Sequence, residues 1–173
     1  AAAAEDAGAR RGPRLIVLDC DPGHDDALAI TLALARPELE LLGITTVGGN
    51  SPLASTTRNA LRVLALLGRS DVPVAPGAER PLLREAWTPV AFHGESGLDG
   101  ADLPEPGAAP RPEGALALTE ALLAGAGRPV TLVATGPLTN VALLLRARPR
   151  IREGIERICL MGGAMGEGNW TAS

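Results

Sequence analysis

Short runs that are apolar on both faces alternate along this chain with longer stretches of helical character, and that alternation leaves few folds open. Leu15-Ile16-Val17-Leu18 is the first such run. A strand with one wet face alternates apolar and polar residues, whereas a strand buried on both faces does not. Pro22-Gly23 breaks the run. From Asp25 onward, Ala27, Leu28, Ile30, Leu32 and Leu34 predict a mostly apolar helix that stops before Pro37. Asp25 and Asp26 fall in its first turn, where carboxylates favour the helix dipole. Glu40 to Val47 reads as a second strand, ended by Gly48-Gly49. Ser51 is expected to cap a helix with Pro52 at its first position, running to Leu67 and stopped by Gly68. Val72 to Ala75 reads as a third strand. Helices over Glu113 to Ala124 and Pro137 to Arg146 then alternate with strands over Val130 to Ala134 and Arg157 to Met161. Such alternation implies right-handed crossovers and a doubly wound, mainly parallel α/β sheet, a Rossmann-like open sheet.

Between the third strand and the next helix, Pro76 to Pro112 shows no periodicity and many Gly and Pro. A connection of that length in a compact domain is usually functional or mobile. The first 13 residues are Ala/Arg-rich without an apolar segment and are expected to form a disordered tail, leaving 14–173 as the folded part. One Phe, two Trp and no Tyr require an aliphatic core. Cys20 and Cys159 lie in apolar segments and are expected to be buried free thiols in a reducing, cytoplasmic setting. The net charge of -4 and the lack of a basic run argue against a nucleic-acid partner. No apolar stretch reaches the roughly 18 residues a membrane helix needs.

In sheets of this kind the ligand sits beyond the carboxyl ends of the strands. Those ends carry Asp19-Cys20-Asp21, then Thr45 to Asn50, then Thr135-Gly136, then Met161-Gly162-Gly163. The segment Asp19-Cys20-Asp21-Pro22-Gly23-His24-Asp25-Asp26 puts four carboxylates into eight residues with no Arg among them. Two like charges about 4 Å apart repel by roughly 4 kcal/mol at an effective dielectric near 20. Either a proton or a cation must neutralise them. Asp19 and Asp21 share one face of a strand, and the Pro-Gly turn returns Asp25 and Asp26 towards them. Oxygen donors alone suit a hard cation, calcium or magnesium, whereas zinc would want His or Cys. Simple helix capping explains one or two of these acids, not four.

This segment resembles the aspartate fingerprint of the nucleoside hydrolase family. Thr45-Thr46-Val47-Gly48-Gly49-Asn50, His93-Gly94-Glu95-Ser96-Gly97-Leu98, Ala134-Thr135-Gly136-Pro137-Leu138-Thr139-Asn140 and Leu160-Met161-Gly162-Gly163 with Glu167-Gly168-Asn169 resemble its later motifs, in order. The resemblance implies cleavage of the bond between ribose and base in ribonucleosides, with calcium as cofactor. It implies that Asp21 binds calcium and is the general base for the attacking water, and that Asp26 and the Thr135 carbonyl are further calcium ligands. Asp25, Asn50 and Asn169 would hold the ribose hydroxyls, Met161 would pack against the sugar, and His93 would lie near the base or serve only as a loop histidine. Asp19 falls behind the ligands, and His24 has no implied role. Trp87, Phe92 and Trp170 are either pocket walls or loop anchors.

The resemblance covers the family's N-terminal part. The family's later His, which helps the leaving base, and later Asp, which completes the calcium shell, have no counterpart in these residues. A polypeptide of this extent is therefore expected to be weak or inactive alone, and the full-length form to be a homo-oligomer. Two other readings stay open. One is a non-catalytic remnant that binds metal and ribosides. The other is a haloacid-dehalogenase-like phosphatase, which would put Thr or Val where Gly23 stands and would need a Lys that this chain lacks. Base preference is not readable from these residues.

Overall fold

The structure is a computed structural model and describes residues 12–86, 90–163 and 165–166. Within these, the expected disordered tail is described only at Gly12 and Pro13, and Trp87, Asn169 and Trp170 lie outside the described residues. Five strands form one sheet in the order β3-β2-β1-β4-β5. They are β1 (Arg14–Cys20), β2 (Leu39–Thr46), β3 (Val74–Pro76), β4 (Val130–Ala134) and β5 (Ile155–Leu160), and every pairing is parallel. The helices are α1 (His24–Ala35), α2 (Leu53–Leu66), the short α3 (Val90–His93), α4 (Gly114–Gly125) and α5 (Thr139–Ala147), with a 3-10 turn at Pro149–Gly154.

The alternation within β1 explains the two-sided core. Ile16, Leu18 and Cys20 point into one cluster with Ile30, Ile44, Ala60 and Leu64, beneath α1 and α2. Leu15 and Val17 point the other way, into a cluster with Val130, Leu132 and Leu144 beneath α4 and α5. Leu18, Ile30, Ile44 and Leu64 are fully buried, each worth roughly 1.5–3 kcal/mol of apolar transfer. No helix among the described residues is long and apolar enough to cross a membrane.

The chain winds from β1 to β2 and β3 on one side, then crosses back to place β4 on the other side of β1. The strand order therefore reverses between β1 and β4, and their carboxyl ends flank the crevice where such sheets bind ligands. Pro76 to Pro112 makes that return across α2. Arg62 donates to the carbonyls of Leu103 and Pro104, and the Arg58 guanidinium reaches both carboxylate oxygens of Glu105 at 2.8 Å.

Two expectations are corrected. Ser51 does not cap α2: the helix begins at Leu53, and no side chain caps it. The Ser51 hydroxyl is instead buried against Gly97 of the long connection and has no hydrogen-bond partner among the described residues. Tertiary packing here overrides a local cap. Cys159 is exposed, unlike the fully buried Cys20. It lies on the sheet's edge strand, whose Ile155 and Ile158 pack on the α4–α5 cluster while its other face is uncovered among the described residues. After α5 the exposed Arg148, Arg150 and Arg152 run through the 3-10 turn, which leads into β5 two residues before the expected start. Gly68 does end α2, with φ of +66° and Arg69 N–H donating to the Leu64 carbonyl.

Candidate active site

The carboxyl end of β1 runs straight into the site because Pro22-Gly23 turns the chain into α1 within a few residues. That turn folds Asp26 back, so that the Asp21 amide donates to Asp26 Oδ2 at 3.1 Å. The end of β2 approaches from the other side. Asn50 N–H donates to Asp21 Oδ2 at 2.7 Å, and Asn50 Nδ2 donates to the Asp21 carbonyl at 3.1 Å. From β4, the Thr135 side chain hydrogen-bonds the Asp26 carboxylate, and the Thr135 amide donates to the Asp19 carbonyl at 2.9 Å. Asp21, Asp26, Asn50 and Thr135 thus meet at the ends of three adjacent strands.

Two glycines make this closeness possible. A Cβ on Gly49 would overlap Asp21 Oδ2, and one on Gly136 would stand 2.8 Å from Asp21 Oδ1. Any side chain at either position would compete for the space the carboxylate occupies.

Behind these residues lies Asp19, buried on the α5 side of β1. Its Oδ1 accepts from Thr45 Oγ1 at 2.5 Å and from Asn140 Nδ2 at 2.8 Å, while Oδ2 has no partner among the described residues. Sequence patterning assigns Asn140 no role, yet it ties three segments together. Its Nδ2 also donates to the Thr46 carbonyl, and its Oδ1 accepts from the Ala78 amide. Its only signal in the sequence is an amide at the start of a helix that follows a strand.

Asp25 is exposed at the start of α1, close enough for its charge to act on Asp21 and Asp26. His93 lies on Gly23 and beside His24. Met161 continues β5 with its amide donating to the Ala134 carbonyl, and its side chain is 60 % exposed. Asn169 lies outside the described residues.

Electrostatics sets the chemistry. Burial raises the Asp21 carboxyl above its ordinary range, and the charges of Asp26 and Asp25 raise it further. Asp26 is raised by the same burial and by Asp25. Asp19 is pushed up to about 6, chiefly by burial, against the lowering effect of Thr45 and Asn140. Among the described residues no Arg pairs with any of the three. No group of three or more His, Cys, Asp or Glu side chains among the described residues is placed to hold a metal. A cation here would therefore rest on two carboxylates and on oxygens of other kinds.

A stability signature follows. A carboxyl whose folded pKa is raised favours the folded state below its unfolded pKa and loses that advantage as pH rises through the folded value. For Asp19 the window runs from its ordinary 3.8 to about 6. Asp21 and Asp26 are raised in the same direction and extend the loss upward. A tenfold difference in proton affinity between the folded and unfolded chain is worth about 1.4 kcal/mol, so Asp19 alone should remove about 2–3 kcal/mol between about pH 4 and pH 8. Urea unfolding in the presence of a chelator should show this decline. A metal-free chain that is more stable at pH 8 than at pH 4 would contradict the burial of these acids as charged groups.

Comparison with known proteins gives a consistent picture. The family model described as inosine-uridine preferring nucleoside hydrolase matches residues 16–173. The chain is 58 % identical over 156 residues to the pyrimidine-specific ribonucleoside hydrolase RihA of Salmonella arizonae, covering 90 % of this chain and 50 % of that protein. It is 56 % identical, with the same coverage, to RihA of Escherichia coli O139:H28. The chain thus spans about half the length of the curated relatives it matches. Among solved structures, the purine-preferring ribonucleoside hydrolase from Gardnerella vaginalis superposes with a TM-score of 0.81 at 35 % identity, over 87 % of this chain and 49 % of that one. An inosine-guanosine nucleoside hydrolase superposes with a TM-score of 0.79 at 33 % identity, over 90 % and 51 %.

Proposed function

The chain belongs to the inosine-uridine preferring nucleoside hydrolase family, and we propose that it carries the metal- and ribose-binding part of an enzyme that hydrolyses the N-glycosidic bond of ribonucleosides. The observation that carries this reading is the pair of buried carboxylates, Asp21 and Asp26, held together where the sheet order reverses with no cationic partner among the described residues. Their oxygens are hard donors, as is the Thr135 carbonyl, and that set suits calcium. Calcium, when bound, would orient and acidify a water molecule and hold the ribose diol.

The chain's own residues supply the rest. Asp21 takes the proton of the attacking water, and its Oδ2 bond to the Asn50 amide fixes the carboxylate's orientation. Asn50 and the exposed Asp25 bind ribose hydroxyls, with Asn169 and Met161 adding contacts to the sugar. His93 lies on the side of the base. The clustered negative charge favours the oxocarbenium-like state that forms as the base departs.

The substrates are pyrimidine ribonucleosides in this reading, because the relatives at 56–58 % identity are named pyrimidine-specific. The purine-preferring neighbour stands at 35 %. The test is release of uracil from uridine against hypoxanthine from inosine, with calcium and with chelator, in a form extended to the family's length. Riboside binding without release of any base would leave a binding protein and overturn the enzymatic reading.

A polypeptide of these 173 residues is expected to turn over far more slowly than that extended form. Asp25, at the start of α1, and Leu160 and Met161, at the carboxyl end of β5, are exposed rather than enclosed. Water is then not excluded from the developing charge. Fusing the chain to the C-terminal half of a relative and comparing uridine hydrolysis at saturating calcium checks this; equal rates would refute it.

A further inference from the structure

Behind the carboxylates of the candidate site, the sheet and the helices α4 and α5 leave a cavity of about 20 Å³ between them. Val17 and Leu132 line it from the sheet and Leu144 from α5. Four polar side chains interrupt this apolar wall: Asp19, Thr45, Thr119 and Asn140. All four are buried, and Asp19 is only 5 % exposed. A water molecule needs roughly 10–15 Å³ of such room and two to four polar partners. The cavity has the size for one water and the polar groups to hold it.

The hydrogens around it are already committed. Asp19 Oδ1 accepts twice, from Thr45 Oγ1 at 2.5 Å and from Asn140 Nδ2 at 2.8 Å. Asp19 Oδ2 is buried and accepts from no group among the described residues. Thr45 has given its one hydroxyl hydrogen to Oδ1. The Thr119 hydroxyl donates to the Ala115 carbonyl at 2.8 Å, one turn back in α4. Asn140 gives its second amide hydrogen to the Thr46 carbonyl at 2.9 Å. The two hydroxyls therefore have only lone pairs left to offer. The cavity thus borders a buried carboxylate oxygen that needs a donor and hydroxyl oxygens that can only accept. A ligand that brings two hydrogens answers both.

A cation would also be drawn to Oδ2, but calcium takes six to eight oxygens, and only four polar side chains border this cavity. Buried polar groups without a protein partner are met by ordered water, because leaving them unpaired is costly. Thr45 and Asn140 already stand on Oδ1, so the acceptor that remains for the ligand's second hydrogen is Thr119 on α4.

We propose that this cavity is a binding site for a single water molecule, which donates one hydrogen to Asp19 Oδ2 and the other to Thr119 Oγ1 and so links α4 to the end of β1. The same Asp19 receives the Thr135 amide at its main-chain carbonyl, at 2.9 Å. The water belongs to the scaffold beneath the candidate site and takes no part in the chemistry, so the proposal stands apart from the nucleoside reading.

Two measurements test it. A crystal structure of this chain should show one water in the cavity, at about 2.7–3.0 Å from Asp19 Oδ2 and from Thr119 Oγ1. A cavity without water density, or a metal ion on Oδ2, overturns the proposal. In solution, oxygen-17 relaxation dispersion counts the long-lived waters of the chain. Thr119→Val keeps the branched shape but removes the acceptor, and the count should fall by one. Thr119→Ser keeps the hydroxyl, and the count should match that of the unsubstituted chain. An unchanged count in Thr119→Val, or an equal fall in both variants, overturns the role of the Thr119 hydroxyl. Thermal melting of both variants confirms that they fold; if Thr119→Val does not, the crystal structure of the unsubstituted chain and the count in Thr119→Ser still decide the matter.

Discussion

Asp21→Asn is expected to lower uridine or inosine turnover by about 10²- to 10⁴-fold in an active, family-length form, while changing ribose affinity far less. The size follows from what the substitution removes and what it keeps. Asp21 Oδ2 accepts the Asn50 amide at 2.7 Å, and an asparagine oxygen can accept the same bond. The β2 loop, and with it Asn50, therefore stays in place to bind ribose. The amide cannot take a proton, so the water loses its base and the barrier rises by about 3–5 kcal/mol. Steady-state kcat and an independent ribose or substrate-analogue Kd separate the two effects. Near-normal turnover in Asp21→Asn would take the base role away from Asp21.

The parts of this arrangement that were legible in the sequence share one property: each is decided by neighbours close along the chain. The apolar runs of β1 and β4 mark strands buried on both faces, because the pleat exposes no polar face. The crowding of Asp19, Asp21, Asp25 and Asp26 marks a site because like charges must be neutralised. Gly68 ends α2 by a backbone conformation that its own type favours. The parts that were not legible depend on partners far away. Ser51 has the composition of a cap, but the loop around Gly97 claims its space. Cys159 sits in an apolar run, but its edge strand has one face without a covering layer among the described residues. Asn140 carries no charge signature, and its value lies in joining Asp19, Thr46 and Ala78. His24 acquires partners only when a loop far along the chain brings His93 and Asp99 to it.

Gly49→Ala is expected to be nearly as damaging as loss of the base itself, about 10²-fold in turnover, although the residue has no chemistry of its own. The cause is steric and directional. A Cβ at this position would overlap Asp21 Oδ2 and stand 2.9 Å from Asp21 Cγ and 3.0 Å from Pro137 Cδ. The carboxylate cannot retreat towards Gly136, where a Cβ would already be 2.8 Å from its other oxygen. Nor can the β2 loop simply withdraw, because the Asn50 amide and side chain both bond to Asp21. One of these contacts must give by a sizeable fraction of an ångström, and a shift of about 1 Å in a reacting group can cost about 10²-fold. The defect should differ in kind from that of Asp21→Asn. The repositioned carboxylate can still accept a proton but meets metal and ribose in the wrong place, so calcium affinity, Asn50-dependent ribose affinity and kcat should all fall together. Calcium titration followed by kcat and KM for uridine on Gly49→Ala reads all three. Unchanged calcium affinity with unchanged kcat would mean that the loop yields freely, and that the tight approach of Gly49 to Asp21 does not hold the Asp21 carboxylate in place.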